Sequence, residues 1–201
     1  MREGTNHRRR SIRFREYDYS RPGAYFVTIV SHQRECLFGE AEGVTVRLSE
    51  TGTIVKETWE ALPDRYPSLK NEFYMVMPNH IHGIIFIVGA GLALPDARPA
   101  LGDIVRTFKS ISAIRANRLL KRSGSPLWQR NYFEHIIRNL EELNHIRQYI
   151  TFNPRQWDLD RENPVGAGLA LPDNGARFND GAQQAAPLQE DVADMFGGVR
   201  P

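Results

Sequence analysis

The chain has 201 residues, 41% of them hydrophobic, which suits one domain with a real core plus irregular additions. Its one cysteine, Cys36, excludes an intrachain disulfide and a multi-cysteine zinc ribbon, so a reducing compartment is expected, with the cytoplasm as default. No run approaches the ~20 apolar residues of a membrane span and no apolar signal core follows the first arginines, so no membrane partner is expected. The net charge of +2 is unevenly spread: residues 165–201 hold two arginines against five acids, leaving +5 on residues 1–164.

In chain order, residues 1–23 form a basic arm. Arg8, Arg9, Arg10, Arg13 and Arg15 are interleaved with Phe14, Tyr17 and Tyr19, a mixture suited to phosphate contacts and base stacking, or else to a solvated arm. Ala24–Val30 and Val44–Leu48 read as strands, followed by a helix from N-cap Ser49 to a stop at Pro63. Residues 71–77 and 80–88 read as a strand pair turned at Pro78-Asn79. Residues 101–120 space Ile104, Phe108, Ile111 and Ile114 as a helix, with Arg106, Lys109 and Arg115 forming a second basic surface. Residues 127–137 read as the last strand. An amphipathic helix then runs from N-cap Asn139, through Leu143, Ile146 and Ile150, to a stop at Pro154.

Strands in a run, with helices between them and one closing the order, predict a layered α+β domain over residues 24–160 whose sheet is covered on one face, leaving the other for a site. Two segments stand outside that plan. Residues 88–96 recur unchanged as residues 165–173, so an inserted loop over 88–100 is expected. The stretch 161–201, rich in Gly, Ala, Pro, Gln and Asp, reads as a low-complexity tail without a core.

Within this frame His80-Ile81-His82 carries the chemistry. On a strand both imidazoles share one face, and two neutral ring nitrogens can hold a divalent cation if a further ligand arrives. Tyr149 and Asn153 stand one turn apart on the last helix, so a phenol and an amide oxygen could both face the histidines. Each has a plainer alternative: hydrogen-bonded structural histidines, a core tyrosine, a helix-end asparagine. Tyr132 is a rival nucleophile. Trp128 and Gln129 anchor the strand or contact a base, Arg130 is a candidate DNA contact, and Glu134 or His135 could orient the site or relay a proton.

Three blocks, Met77-Pro78-Asn79-His80-Ile81-His82, Trp128-Gln129-Arg130-Asn131-Tyr132-Phe133-Glu134-His135 and Tyr149 to Asn153 with Pro154, carry a resemblance that spans residues 12–157. The chain resembles the single-tyrosine HUH transposases, most closely the REP-associated tyrosine transposases. The resemblance implies a ferredoxin-like antiparallel sheet with the His-x-His on a central strand and helices on one face. It implies His80, His82 and Asn153 as ligands of Mg2+ or Mn2+, with Tyr149 as the nucleophile. The implied activity is nicking and joining of single-stranded or hairpin DNA through a 5′-phosphotyrosine, in the cytoplasm near the nucleoid. A non-catalytic binder of structured single strands on the same fold is the alternative, and monomer and homodimer both stay open.

Overall fold

The structure is a computed structural model describing residues 21–71, 73–88, 99–160 and 162–164. The expectations for the arm before residue 21, the repeated segment through 89–98 and the tail from 165 lie outside these residues, and so do Arg8, Arg9, Arg10, Arg13 and Arg15.

The chain forms strand β1 (Gly23–Val30), a hairpin of β2 (Gly39–Glu42) and β3 (Thr45–Leu48), helices α1 (Glu50–Glu60) and α2 (Leu62–Arg65), and strands β4 (Leu69–Lys70), β5 (Tyr74–Val76) and β6 (His80–Ile87). Helix α3 (Leu101–Leu119), strand β7 (Phe133–Ile137) and helix α4 (Leu140–Phe152) follow, and a 3-10 segment (Asn153–Leu159) continues α4. The main sheet has the order β4-β6-β1-β7, with β5 pairing β6 along the same side as β4. All its pairings are antiparallel. This is the ferredoxin-like α+β arrangement: β6 has a partner on both sides, and β7 forms one edge.

Alternation divides the sheet into two faces. Tyr25, Val27 and Ile29 of β1, with Ile81, Ile85 and Ile87 of β6, join Val55 and Trp59 of α1 and Ile104 and Phe108 of α3 in one core. Ala24, Phe26, Ile84, Phe86 and Ile137 pack against Leu143, Ile146 and Ile150 of α4 in another. Helices α1 and α3 thus share a face as expected. Helix α4 lies on the opposite one, because its apolar stripe needs a surface to bury, so the histidine face is not simply open. Gly83 belongs to the first face, and a Cβ there would stand 2.3 Å from Cζ2 of Trp59. Only glycine lets this indole lie against the back of β6.

Several elements depart from their expected bounds. Pro63 does not end the first helical region: the chain kinks at Ala61 and Pro63 sits in the first turn of α2, where its missing N–H costs nothing. Pro154 likewise falls in the first turn of the 3-10 segment. The strand expected over 71–77 splits because Asn71 turns to α1, donating its amide to the Trp59 carbonyl while the Trp59 indole donates to the Asn71 carbonyl. Of residues 127–137, Trp128 makes an isolated antiparallel bridge to Ser31, and only Phe133–Ile137 form a strand of the sheet. Before them, the Lys109 ammonium donates to the carbonyls of Gln129 and Arg130 at 2.6 and 2.9 Å, replacing strand partners. The hairpin strand β2 had no legible pattern, since its four residues include two glutamates and a glycine.

Candidate metal and tyrosine site

His80 and His82 are the first and third residues of β6, opposite Val30 and Thr28 of β1. Both are buried on the α4 face, and their Nε2 atoms lie 2.8 Å apart. Burial, then the neighbouring His82, holds the His80 pKa well below the ordinary imidazole value, and burial lowers that of His82 to about 3. Both rings are therefore neutral.

The hydrogen bonds around His80 fix which of its nitrogens faces the site. The Asn79 amide nitrogen donates to the carbonyls of Arg34 and Glu162 at 3.1 and 2.6 Å. This orients the amide oxygen as the partner of His80 Nδ1, at 2.8 Å, so Nδ1 carries the proton and Nε2 the lone pair. His82 Nδ1 meets the Thr28 hydroxyl at 2.8 Å, and a hydroxyl can accept a proton or give one. With Thr28 accepting, both Nε2 lone pairs point at the same place.

Two further oxygens approach it. The Asp160 carboxylate follows the 3-10 segment, and its Oδ2 lies 3.9 Å from His80 Nε2 with the side chain 7% exposed. One ligand atom each from His80, His82 and Asp160 lie within 4.8 Å of one another. Asn153, buried as the first residue of that segment, lies beside both Tyr149 and Asp160 and lowers the pKa of each. Asn153 Oδ1 and Asp160 Oδ2 are buried without a hydrogen-bond partner among the described residues. Buried oxygens left unmatched are costly. Two such oxygens beside two imidazole lone pairs are the donor chemistry a divalent cation satisfies, so the residues fit one.

Asp160 was missed in the sequence because Pro154 read as a stop. Its only advance signal is its place in Asp158-Leu159-Asp160, shortly after the tyrosine helix. The Glu162 N–H donates to Asp160 Oδ1 at 2.7 Å and holds the carboxylate in place. Burial raises the Asp160 pKa.

Tyr149 projects from α4 toward the same place. Its hydroxyl lies 3.4 Å from His82 Nε2, and the two rings are 5.2 Å apart between centroids. Burial, and then the negative Asp160, raises the Tyr149 pKa, against the opposing hydrogen bond from Asn153. The phenol is thus protonated unless positive charge enters the site.

The other residues singled out in the sequence divide clearly. Tyr132 packs with the core on the α1 and α3 face, and Glu134 lies opposite Val27 on that face, so neither meets the histidines. His135 shares the histidine face, but its Nε2 lies 2.6 Å from Glu142 Oε1 in the first turn of α4 and secures the helix to β7. Trp128 is a core side chain, its indole donating to Ser112 Oγ at 2.9 Å between Phe38 and Phe108. The Gln129 N–H donates to the Val30 carbonyl at 2.9 Å, and Arg130 is exposed. Helix α3 packs on the layer opposite the histidines. There Arg106 pairs with Asp103, Arg115 with Glu57, and Lys109 with the two carbonyls, so this basic surface does not join the site.

Fold and site together define a ferredoxin-like domain with a divalent-cation donor set beside a half-buried tyrosine. The chain belongs to the family of an uncharacterized protein of Haemophilus influenzae (strain ATCC 51907 / DSM 11121 / KW20 / Rd), with 36% identity over 171 residues that cover 77% of this chain and 93% of that protein. No family model matches the chain. Among solved structures it is similar to a REP-associated tyrosine transposase bound to a REP hairpin, at 20% identity and a TM-score of 0.49, covering 71% of this chain and 72% of that one. It is also similar to a protein of Deinococcus radiodurans R1 classed provisionally as a transposase, at 18% identity and a TM-score of 0.42, covering 69% and 94%. Among the described residues no helix is long and apolar enough to cross a membrane.

Proposed function

We propose that the protein is a metal-dependent endonuclease and strand transferase for single-stranded DNA, acting on hairpins through a tyrosine–phosphate ester. The observation that carries this reading is the approach of the Tyr149 hydroxyl to within 3.4 Å of His82 Nε2, at a site with two imidazole lone pairs and two unmatched buried oxygens. His80, His82, Asp160 and Asn153 would hold the cation. A divalent ion bound there supplies Lewis-acid charge for a nonbridging oxygen of the scissile phosphate.

The chain's own residues perform the remaining work. Asn79 fixes the His80 tautomer, Thr28 would set that of His82 by accepting from its Nδ1, and Asn153, beside the phenol, would aim it. In-line attack forms the Tyr149 Oη–P bond as the P–O3′ bond breaks. The phenol loses its proton in that step and the departing 3′-oxygen gains one. The ester energy is retained in the adduct, so a second 3′-hydroxyl can reverse the step on a new partner and join strands.

The test is incubation of a labelled hairpin bearing a single-stranded flank with Mn2+ or Mg2+, comparing wild type with Tyr149→Phe on a denaturing gel. A metal-dependent, protease-sensitive adduct in wild type alone is expected. Tight binding with no adduct would instead favour a binder of structured single strands.

A further inference from the structure

The rings around His82 form a chain that runs along the sheet to Phe133. Phe26 stacks on His82 with centroids 5.6 Å apart and planes 25° apart, and meets Tyr149 edge-on at 6.0 Å. Phe133 meets Phe26 edge-on at 6.1 Å. Phe26 is buried, whereas Phe133 is 40% exposed. Thr28 is paired across the strands with both His82 and Phe133, so Phe133 lies on the histidine face two strand spacings, about 10 Å, from His82. It opens β7, the edge of the sheet, and among the described residues no further strand lies beyond it.

One exposed phenylalanine is ordinary. The position of this one sets it apart from other exposed apolar side chains. Ile114 and Leu119 lie on α3, on the opposite layer, Val44 lies in the turn between β2 and β3, and Phe152 has the Arg155 guanidinium 5.6 Å over its ring. Phe133 continues the aromatic chain of the site outward along the sheet, as the half-buried Trp157 does beside His80 at 6.0 Å, and Arg130, exposed three residues before Phe133, adds positive charge suited to a phosphate.

We propose that Phe133 is a stacking platform for a nucleobase of single-stranded DNA, the base adjoining the phosphate held at the histidines. This rests on the function proposed above. An aromatic face accepts any base, so the platform would set the path of the strand and not its sequence.

The experiment measures affinity for a fluorescent hairpin with a single-stranded flank, and for a series in which one flank position at a time is abasic. It uses the full chain as wild type, Phe133→Ala, Phe133→Tyr, and Ile114→Ala as a control on the far layer. Phe133→Ala should weaken binding about tenfold or more, while Phe133→Tyr and Ile114→Ala stay within about twofold of wild type. One abasic position should weaken wild type by a similar factor and leave Phe133→Ala unaffected. The platform is overturned if Phe133→Ala binds as wild type does, if no abasic position reproduces its loss, or if Phe133→Tyr fails to restore binding. The same samples are read for covalent adduct. Adduct with unchanged Phe133→Ala affinity rejects the platform alone. Binding without adduct rejects strand cleavage and leaves the platform decided by the affinities, and a wild type that binds no single strand rejects both.

Discussion

Asn79 and His80 are neighbours in sequence and partners in space: the amide oxygen takes the imidazole Nδ1 proton at 2.8 Å, while the amide nitrogen holds the Glu162 carbonyl from the far end of the described chain. Asn79 thus orients one candidate ligand and tethers the segment that carries another. Asn79→Ala should lower Mn2+ affinity by about 10- to 100-fold although Asn79 is not a ligand. Titration calorimetry decides this, and an unchanged affinity would remove Asn79 from any positioning role.

Asp160 carries a prediction whose two halves have opposite signs. Without metal, its buried carboxylate has an oxygen without a partner, so Asp160→Asn should raise the melting temperature of the metal-free protein. With metal, the same change should remove most of the stabilisation that Mn2+ confers on wild type. Thermal unfolding with chelator and with a Mn2+ series measures both, and a variant less stable than wild type in chelator would contradict the account.

Tyr149→Phe should abolish adduct formation while leaving hairpin binding and Mn2+ binding within about twofold, since the ring remains to pack on Phe26 and His82. Tyr132→Phe should retain the adduct, because Tyr132 packs on the other face of the sheet. Adduct that survives Tyr149→Phe would point to a different nucleophile.

These residues were not equally legible in the sequence. His80 and His82 could be read because strand alternation is rigid, and Tyr149 with Asn153 because a helix brings residues four apart together. Asn139 was readable as a cap, and its side chain does accept from the Glu142 N–H at 2.8 Å. Asp160 was hidden because proline is a breaker in a helix interior but a good first-turn residue, and one sequence does not say which applies at Pro154. The layer occupied by α4 was hidden for another reason. Periodicity shows that a helix has an apolar stripe, not which face of the sheet receives it. Trp128, followed by Gln129 and Arg130, looked like a candidate for base contact, yet tertiary packing makes it core.

Gly83→Ala should destabilise the fold by roughly 1–3 kcal/mol, because the new methyl group meets an indole that is itself fully buried. Urea unfolding is the measurement. A loss well under that range would mean that Trp59 can slide along β6 without cost.

The metal-free protein should lose stability in acid through its histidines. In the folded state His82 has a pKa of about 3 against an ordinary 6.5, and His80 is shifted the same way, so below pH 6.5 the unfolded chain binds more protons. The stability is full above that pH and is lost as pH falls toward the folded value, on the order of 2 kcal/mol at pH 5 from His82 alone. Tyr149 acts with the opposite sign: its pKa is raised, so its contribution is full below the ordinary value of 10 and declines as the pH climbs beyond it. Urea midpoints across pH in chelator check both ends, and replacing either histidine by glutamine should flatten the acid limb.

The tether between Asn79 and Glu162 also has a consequence for synthesis. Ribosomes deliver the two histidines well before α4, and Asp160 emerges last of the proposed ligand set. A nascent or prematurely terminated chain that stops short of residue 160 therefore has the histidine pair but lacks the buried carboxylate that completes the set. In the cell, an unfinished copy would be a poor metal scavenger.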